Sequence, residues 1–185
     1  MENEEATLLP ASNDDPDQTV TIPFDLYQSF LGRYYIGRTP TLTLRPGCNC
    51  WGGLANPDDS PVNLFVDLIS VNGLSPVSCC ARIWLNTTLF GRIFVSPFVT
   101  LANTAVNPTP YSNALFSYAQ NLRIAPFNGD SLAAEVVRPL SALRDSFGGK
   151  VIIPPGGSII IYLSLLDSGG CLNCEVSCRW WEKET

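Results

Sequence analysis

The sequence predicts an all-β domain, a single jelly roll or β-sandwich with an extended N-terminal arm. Three observations predict it. Short segments of alternating apolar and polar residues recur between turn signals. Fifteen prolines and fourteen glycines punctuate the 185 residues, and no long stretch carries apolar residues at helical spacing. Hydrophobic residues make up 45% of the chain, enough for one real core.

The elements follow in order. Residues 1–18, "MENEEATLLPASNDDPDQ", have the composition of a disordered arm. The next segment, "TVTIPF", alternates Val20, Ile22 and Phe24, and its Pro23 suits an edge or added strand better than a central one. We therefore divide the chain into an arm, residues 1–28, and a body, residues 29–185.

In the body, "RYYIG" and "TLTLRP" are strands flanking a turn near Thr39–Pro40. "PVNLFVDLISVNG" alternates Val62, Leu64, Val66 and Leu68 against Asn63, Phe65, Asp67 and Ile69. "CCARIWLNTT" sets Ala81, Ile83 and Leu85 against Arg82, Trp84 and Asn86. "RIFVSPFVTL", "ALFSYAQNLRI" and "LAAEVVRPL" read as further strands, the last with a short helix running into "SALRDSF" as its alternative. In "VIIPPGGSIIIYLSLL", Pro155–Gly156 is a type II turn pair, and the apolar run Ile159 to Leu166 suits a strand covered on both faces. "CEVSCRWW" closes the domain with Cys174, Val176, Cys178 and Trp180 on one face, and Trp180 and Trp181 split between the two faces, one in the core and the other at an interface or rim.

Charge is sparse and uneven. Glu2, Glu4, Glu5, Asp14, Asp15 and Asp17 lie in the arm, leaving eleven acids against eleven bases in residues 18–185. A neutral, weakly charged body tends to associate with its copies. The absence of a basic cluster argues against nucleic acid. The acidic N-terminus does not read as a secretory signal, and the uncharged run Ile93–Leu122 is broken by Pro97, Pro108 and Pro110, so no membrane insertion is expected.

The chain has no histidine, which removes Ser-His-Asp and Cys-His sites and the commonest general base. Asp58, Asp59, Asp67, Asp130, Glu135, Asp145 and Asp167 are scattered, and Asp58–Asp59 in "NPDDSP" reads as a turn. No phosphate- or dinucleotide-binding glycine pattern occurs. The chain is therefore expected not to be an enzyme and to need no cofactor.

Seven cysteines remain: Cys48, Cys50, Cys79, Cys80, Cys171, Cys174 and Cys178. Adjacent residues of a strand face opposite ways, so Cys79 and Cys80 serve different sites. All seven are disulfide candidates, and their odd number leaves at least one without an intrachain partner. A loop closed between positions as distant as Cys50 and Cys174 adds on the order of 4–5 kcal/mol in the chain-entropy model. The competing use is structural zinc held by Cys48, Cys50, Cys171 and Cys174.

The motifs "YYIG", "WGGLANP", "PVNLFVDLISVNG", "RIWLNTT" and "IIPPGGSIII" resemble an uncharacterised family of small β-proteins from spore-forming Bacillota, over about Tyr34 to Leu166. More distantly the design resembles the subunits of endospore appendages, disulfide-linked jelly rolls that stack into fibres through N-terminal arms. That resemblance implies an extracellular or spore-surface location reached without a classical signal peptide. Nothing precedes Cys48 among the cysteines here, so an arm that joins subunits must act by strand pairing, through Val20, Ile22 and Phe24.

The expectation is thus a structural subunit that polymerises with its own copies, its surface anchor or tip protein unspecified. The alternatives are a monomeric β-sandwich binding carbohydrate or a small ligand, and a thiolate-zinc protein.

Overall fold

A computed structural model describes residues 7–10, 19–166 and 169–185. The arm acids Glu2, Glu4, Glu5, Asp14, Asp15 and Asp17, together with Asp167, lie outside the described residues, as does the side chain of Val20. Strands β1 (Thr7–Pro10) and β2 (Thr19–Ile22) form a two-stranded antiparallel hairpin with Thr7 opposite Ile22. Helix α1 (Phe24–Phe30) follows directly.

The body contains β3 (Tyr34–Arg38), β4 (Leu42–Leu44), β5 (Asn49–Ala55), β6 (Val62–Gly73), β7 (Cys79–Leu85), β8 (Phe94–Val95) and β9 (Val99–Leu101). These are followed by β10 (Leu115–Leu122), β11 (Asp130–Val137), β12 (Ala142–Ile153), β13 (Ser158–Leu165) and β14 (Leu172–Glu184). One sheet has the order β11-β7-β13-β5-β10-β8. The other runs β12-β6-β14-β3-β9, with β4 also paired to β14. All pairings are antiparallel, and they nest: β3 with β14, β5 with β13, β6 with β12, β7 with β11, β8 with β10. Nested pairing is what a long hairpin produces when it is rolled across two sheets, the connectivity of a jelly roll.

The core lies between the sheets. Leu54, Ile83, Phe116, Ile159 and Ile161 of one sheet meet Leu64, Val66, Ile69, Val176 and Trp180 of the other. Ile159 to Leu163 are almost fully buried on both faces of β13, whereas the end of the run expected to be covered is not: Leu165 is partly buried and Leu166 exposed. The outward side chains Ile160 and Tyr162 pack with Trp51 and Phe90, and the Trp51 indole donates to the Phe90 carbonyl at 3.0 Å. The Pro155–Gly156 turn forms as read: Gly156 has φ +79° and the Gly157 N–H donates to the Pro154 carbonyl. "LAAEVVRPL" is strand β11, not a helix, because its backbone pairs with β7.

Three sequence expectations change. In β6 the inward set is Val62, Leu64 and Val66, then Ile69 and Val71. Leu68 falls out of the core because the pairing with β14 shifts register between Arg179 and Trp180, a β-bulge that reverses the alternation. The extended arm ends earlier than residue 28, since α1 starts at Phe24 behind Pro23, with Asp25 in its first turn. Trp181 is not at a rim. It is 5% exposed on the outer face of its sheet, stacked on Phe65 at 5.6 Å and met edge-on by Phe24 at 5.7 Å.

Candidate functional site

Cysteines separated widely in sequence converge because of where the chain changes sheets. The crossovers β4 to β5, β6 to β7 and β13 to β14 all lie at one end of the sandwich. There Leu44 pairs with Leu172, Gly73 with Cys174, and Cys79 with Leu165. Each crossover carries two cysteines, one turned inward and one outward. Cys48 sits on the corner bridged to Arg45, partly exposed, while Cys50 is two residues into β5 and fully buried. Cys79 opens β7 in the core, and Cys80 is partly exposed on the opposite face, as strand alternation requires. Cys171 is exposed ahead of β14, and Cys174 is buried within it.

The inward trio Cys50, Cys79 and Cys174 belongs to the same core cluster, with Cys50 and Cys79 on one sheet and Cys174 on the other. β5 and β14 touch across the sandwich. There burial, first, followed by the neighbouring thiols of Cys174 and Cys79, pushes the Cys50 thiol well above the usual thiol range. Burial, followed by the proximity of Cys174 and Cys80, pushes Cys79 up to about 12. Cys178 lies deeper along β14, fully buried, and burial alone raises its pKa. All seven cysteines are free thiols.

This placement sorts the predicted site residues. Cys48, Cys80 and Cys171 can meet another molecule, whereas Cys50, Cys79, Cys174 and Cys178 can do so only if the sandwich opens. The zinc set Cys48, Cys50, Cys171 and Cys174 does not converge, since two members face the core and two face outward. Among the described residues no group of three or more Cys, Asp or Glu side chains is placed to hold a metal ion. Phe24, expected to reach a neighbour, packs instead on Trp181 of its own chain, and Ile22 is partly buried at the end of the hairpin.

Sequence reasoning missed two features. Tyr34 donates a hydrogen bond to Asp67 beside Trp181, and burial, then that bond, raises the phenol well above its ordinary range. Glu182, 5% exposed, accepts from Ser112 Oγ at 2.6 Å, Asn113 Nδ2 at 2.8 Å, Asn113 N at 3.1 Å and Trp180 Nε1 at 3.2 Å. It clamps the segment before β10 onto β14. A cavity of about 260 Å³ beside this segment is lined by Tyr35, Val99, Leu101, Tyr111 and Phe116 and contains no charged side chain. Among the described residues no helix is long and apolar enough to cross a membrane.

No curated protein matches the chain. A chain from the structure of infectious bursal virus derived T=1 particles overlaps it with 13% identity and a TM-score of 0.15. That overlap covers 97% of this chain but 46% of the viral one, so this chain spans less than half the viral chain's length. At that score the likeness carries no argument. Residues 6–185 match the Family of unknown function (DUF6143), and the chain belongs to that family.

Proposed function

We propose that this member of a family of unknown function is a structural subunit. It assembles with copies of itself into an extracellular fibre or spore-surface layer. The observation that carries this reading is β11. Among the described residues it is an edge of its sheet with no outer partner, eight residues long against the two of the opposite edge β8, with exposed Leu132 and Val136 and only Asp130 and Glu135 charged. A long, weakly charged edge is a template for strand addition. The neighbouring edge β12 is blunted by Arg144, Lys150 and a bulge through Gly148 and Gly149, features that discourage pairing.

The occupant is the β1–β2 hairpin of another copy. Its strand sequences, TLLP and TVTI, contain no charge, and among the described residues they pair with each other alone. A lone hairpin is marginal in water and gains stability from a third strand. The neutral body supports close packing of copies, and Cys48, Cys80 and Cys171 are the thiols positioned to link them covalently in an oxidising setting.

The test is negative-stain imaging and sizing of air-exposed protein, with non-reducing and reducing gels. Deletion of residues 1–22, or Val136→Lys, should abolish filaments while leaving a folded β monomer by circular dichroism. Wild-type protein that stays monomeric at high concentration, or filaments indifferent to both changes, would overturn the reading.

A further inference from the structure

The sorting of thiols into inner and outer sets has a chemical consequence independent of self-assembly. We propose that Cys50 and Cys174 are a built intrachain disulfide pair that joins the two sheets, closed during folding and sealed afterwards. Both are fully buried in one core cluster, on facing strands that touch across the core. Each stands two residues before one member of a close-packed pair, Gly52 and Val176, where a Cβ on Gly52 would lie 3.0 Å from Val176 Cβ. The other pairings are worse on geometry. Cys79 and Cys80 point to opposite faces, and Cys178 lies four residues deeper along β14 than Cys174. Cys79 lies on β7, separated from β5 by β13; Cys174 is its neighbour too, but β7 meets β14 less closely than β5 does, which makes Cys79 a bystander to the bond.

The oxidant is a low-molecular-weight disulfide such as oxidised glutathione. The thiolate of one cysteine attacks it, releasing one small thiol and leaving a mixed disulfide on the protein. The second cysteine then attacks the protein sulfur of that mixed disulfide, forming the S–S bond and releasing the other small thiol. Two protein S–H bonds are lost, one S–S bond forms, and the two protons and two electrons leave on the two small thiols. Both partners are 0% exposed in the folded chain, so neither step can occur there. Once closed, the bond is equally hidden from reductants. The redox state met during folding is therefore retained by the folded protein.

The experiment uses the full chain, unfolded and reduced, then refolded with reduced and oxidised glutathione and trapped with N-ethylmaleimide. Non-reducing peptide mapping should recover the Cys50 peptide joined to the Cys174 peptide in monomeric protein, and Cys79→Ala should retain the link. The bridged form should unfold at higher urea than the same sample after reduction. Folded, reduced protein exposed to the same glutathione buffer should not form the bond. Should refolding yields be poor, incubation of the native chain with oxidised glutathione at urea just below the transition gives the same readout. The proposal is overturned if Cys50 and Cys174 are recovered as maleimide adducts in both procedures, if either is bonded to another cysteine, or if the folded protein oxidises as fast as the unfolded one.

Discussion

Replacing Glu182 tests whether a buried carboxylate holds the segment before β10 to the closing strand. In Glu182→Ala the Ser112 hydroxyl and the Asn113 amide, at the surface end of the clamp, regain water. The Asn113 backbone N–H and the Trp180 indole N–H have less recourse, since Trp180 is fully buried. Each stranded donor costs roughly 1–3 kcal/mol, so a loss of about 2–6 kcal/mol is expected. Ala114 adds nothing to that sum because its N–H also reaches Ser112 Oγ at 3.0 Å. Glu182→Gln keeps one acceptor oxygen but turns an NH₂ toward the donors, and should lose about half as much. Urea unfolding followed by tryptophan fluorescence gives both values, with unchanged slopes required for a valid comparison. An alanine variant within about 0.5 kcal/mol of wild type would refute the clamp.

Gly149 has φ +75°, and a Cβ built there would lie 2.0 Å from Trp181 Cη2; Gly149→Ala should destabilise by more than about 2 kcal/mol and alter near-ultraviolet circular dichroism. Phe24→Ala should red-shift tryptophan emission by uncovering Trp181; an unchanged spectrum would mean that α1 is not seated as described. Iodoacetamide on native protein should label Cys171 fastest and Cys48 and Cys80 more slowly, sparing the four core thiols until denaturant is added; mass spectrometry reads the order. Alkaline stability should also fall. Tyr34 and Tyr35 hold their protons more tightly folded than unfolded, as do Cys50, Cys79 and Cys178, with Tyr35 and Cys79 both raised to about 12. Their stabilising effect is complete below the ordinary thiol value of 9.0 and is lost as pH rises toward 12. A urea midpoint flat across that window would contradict the assignment.

The sequence by itself determined the strands, because alternation and turn chemistry are local. Cys174, Val176, Cys178 and Trp180 share the inner face of β14 as their spacing requires, and Pro155–Gly156 turns the chain where expected. Cys79 and Cys80 divide between core and outer face for the same reason. Local pattern reached its limit at the bulge in β6, where one extra residue moved Ile69 inward and Leu68 out. It also missed α1, seven residues too short to be helical on their own account and held by Phe24 against Trp181. Only the tertiary structure decided which cysteines meet. Three crossovers far apart in the chain share one end of the sandwich because the strand pairs nest, and long-range strand order leaves no trace in the residues near each cysteine. The free edge of β11 is a property of the same kind: a strand reads alike from its own residues whether or not another lies beside it.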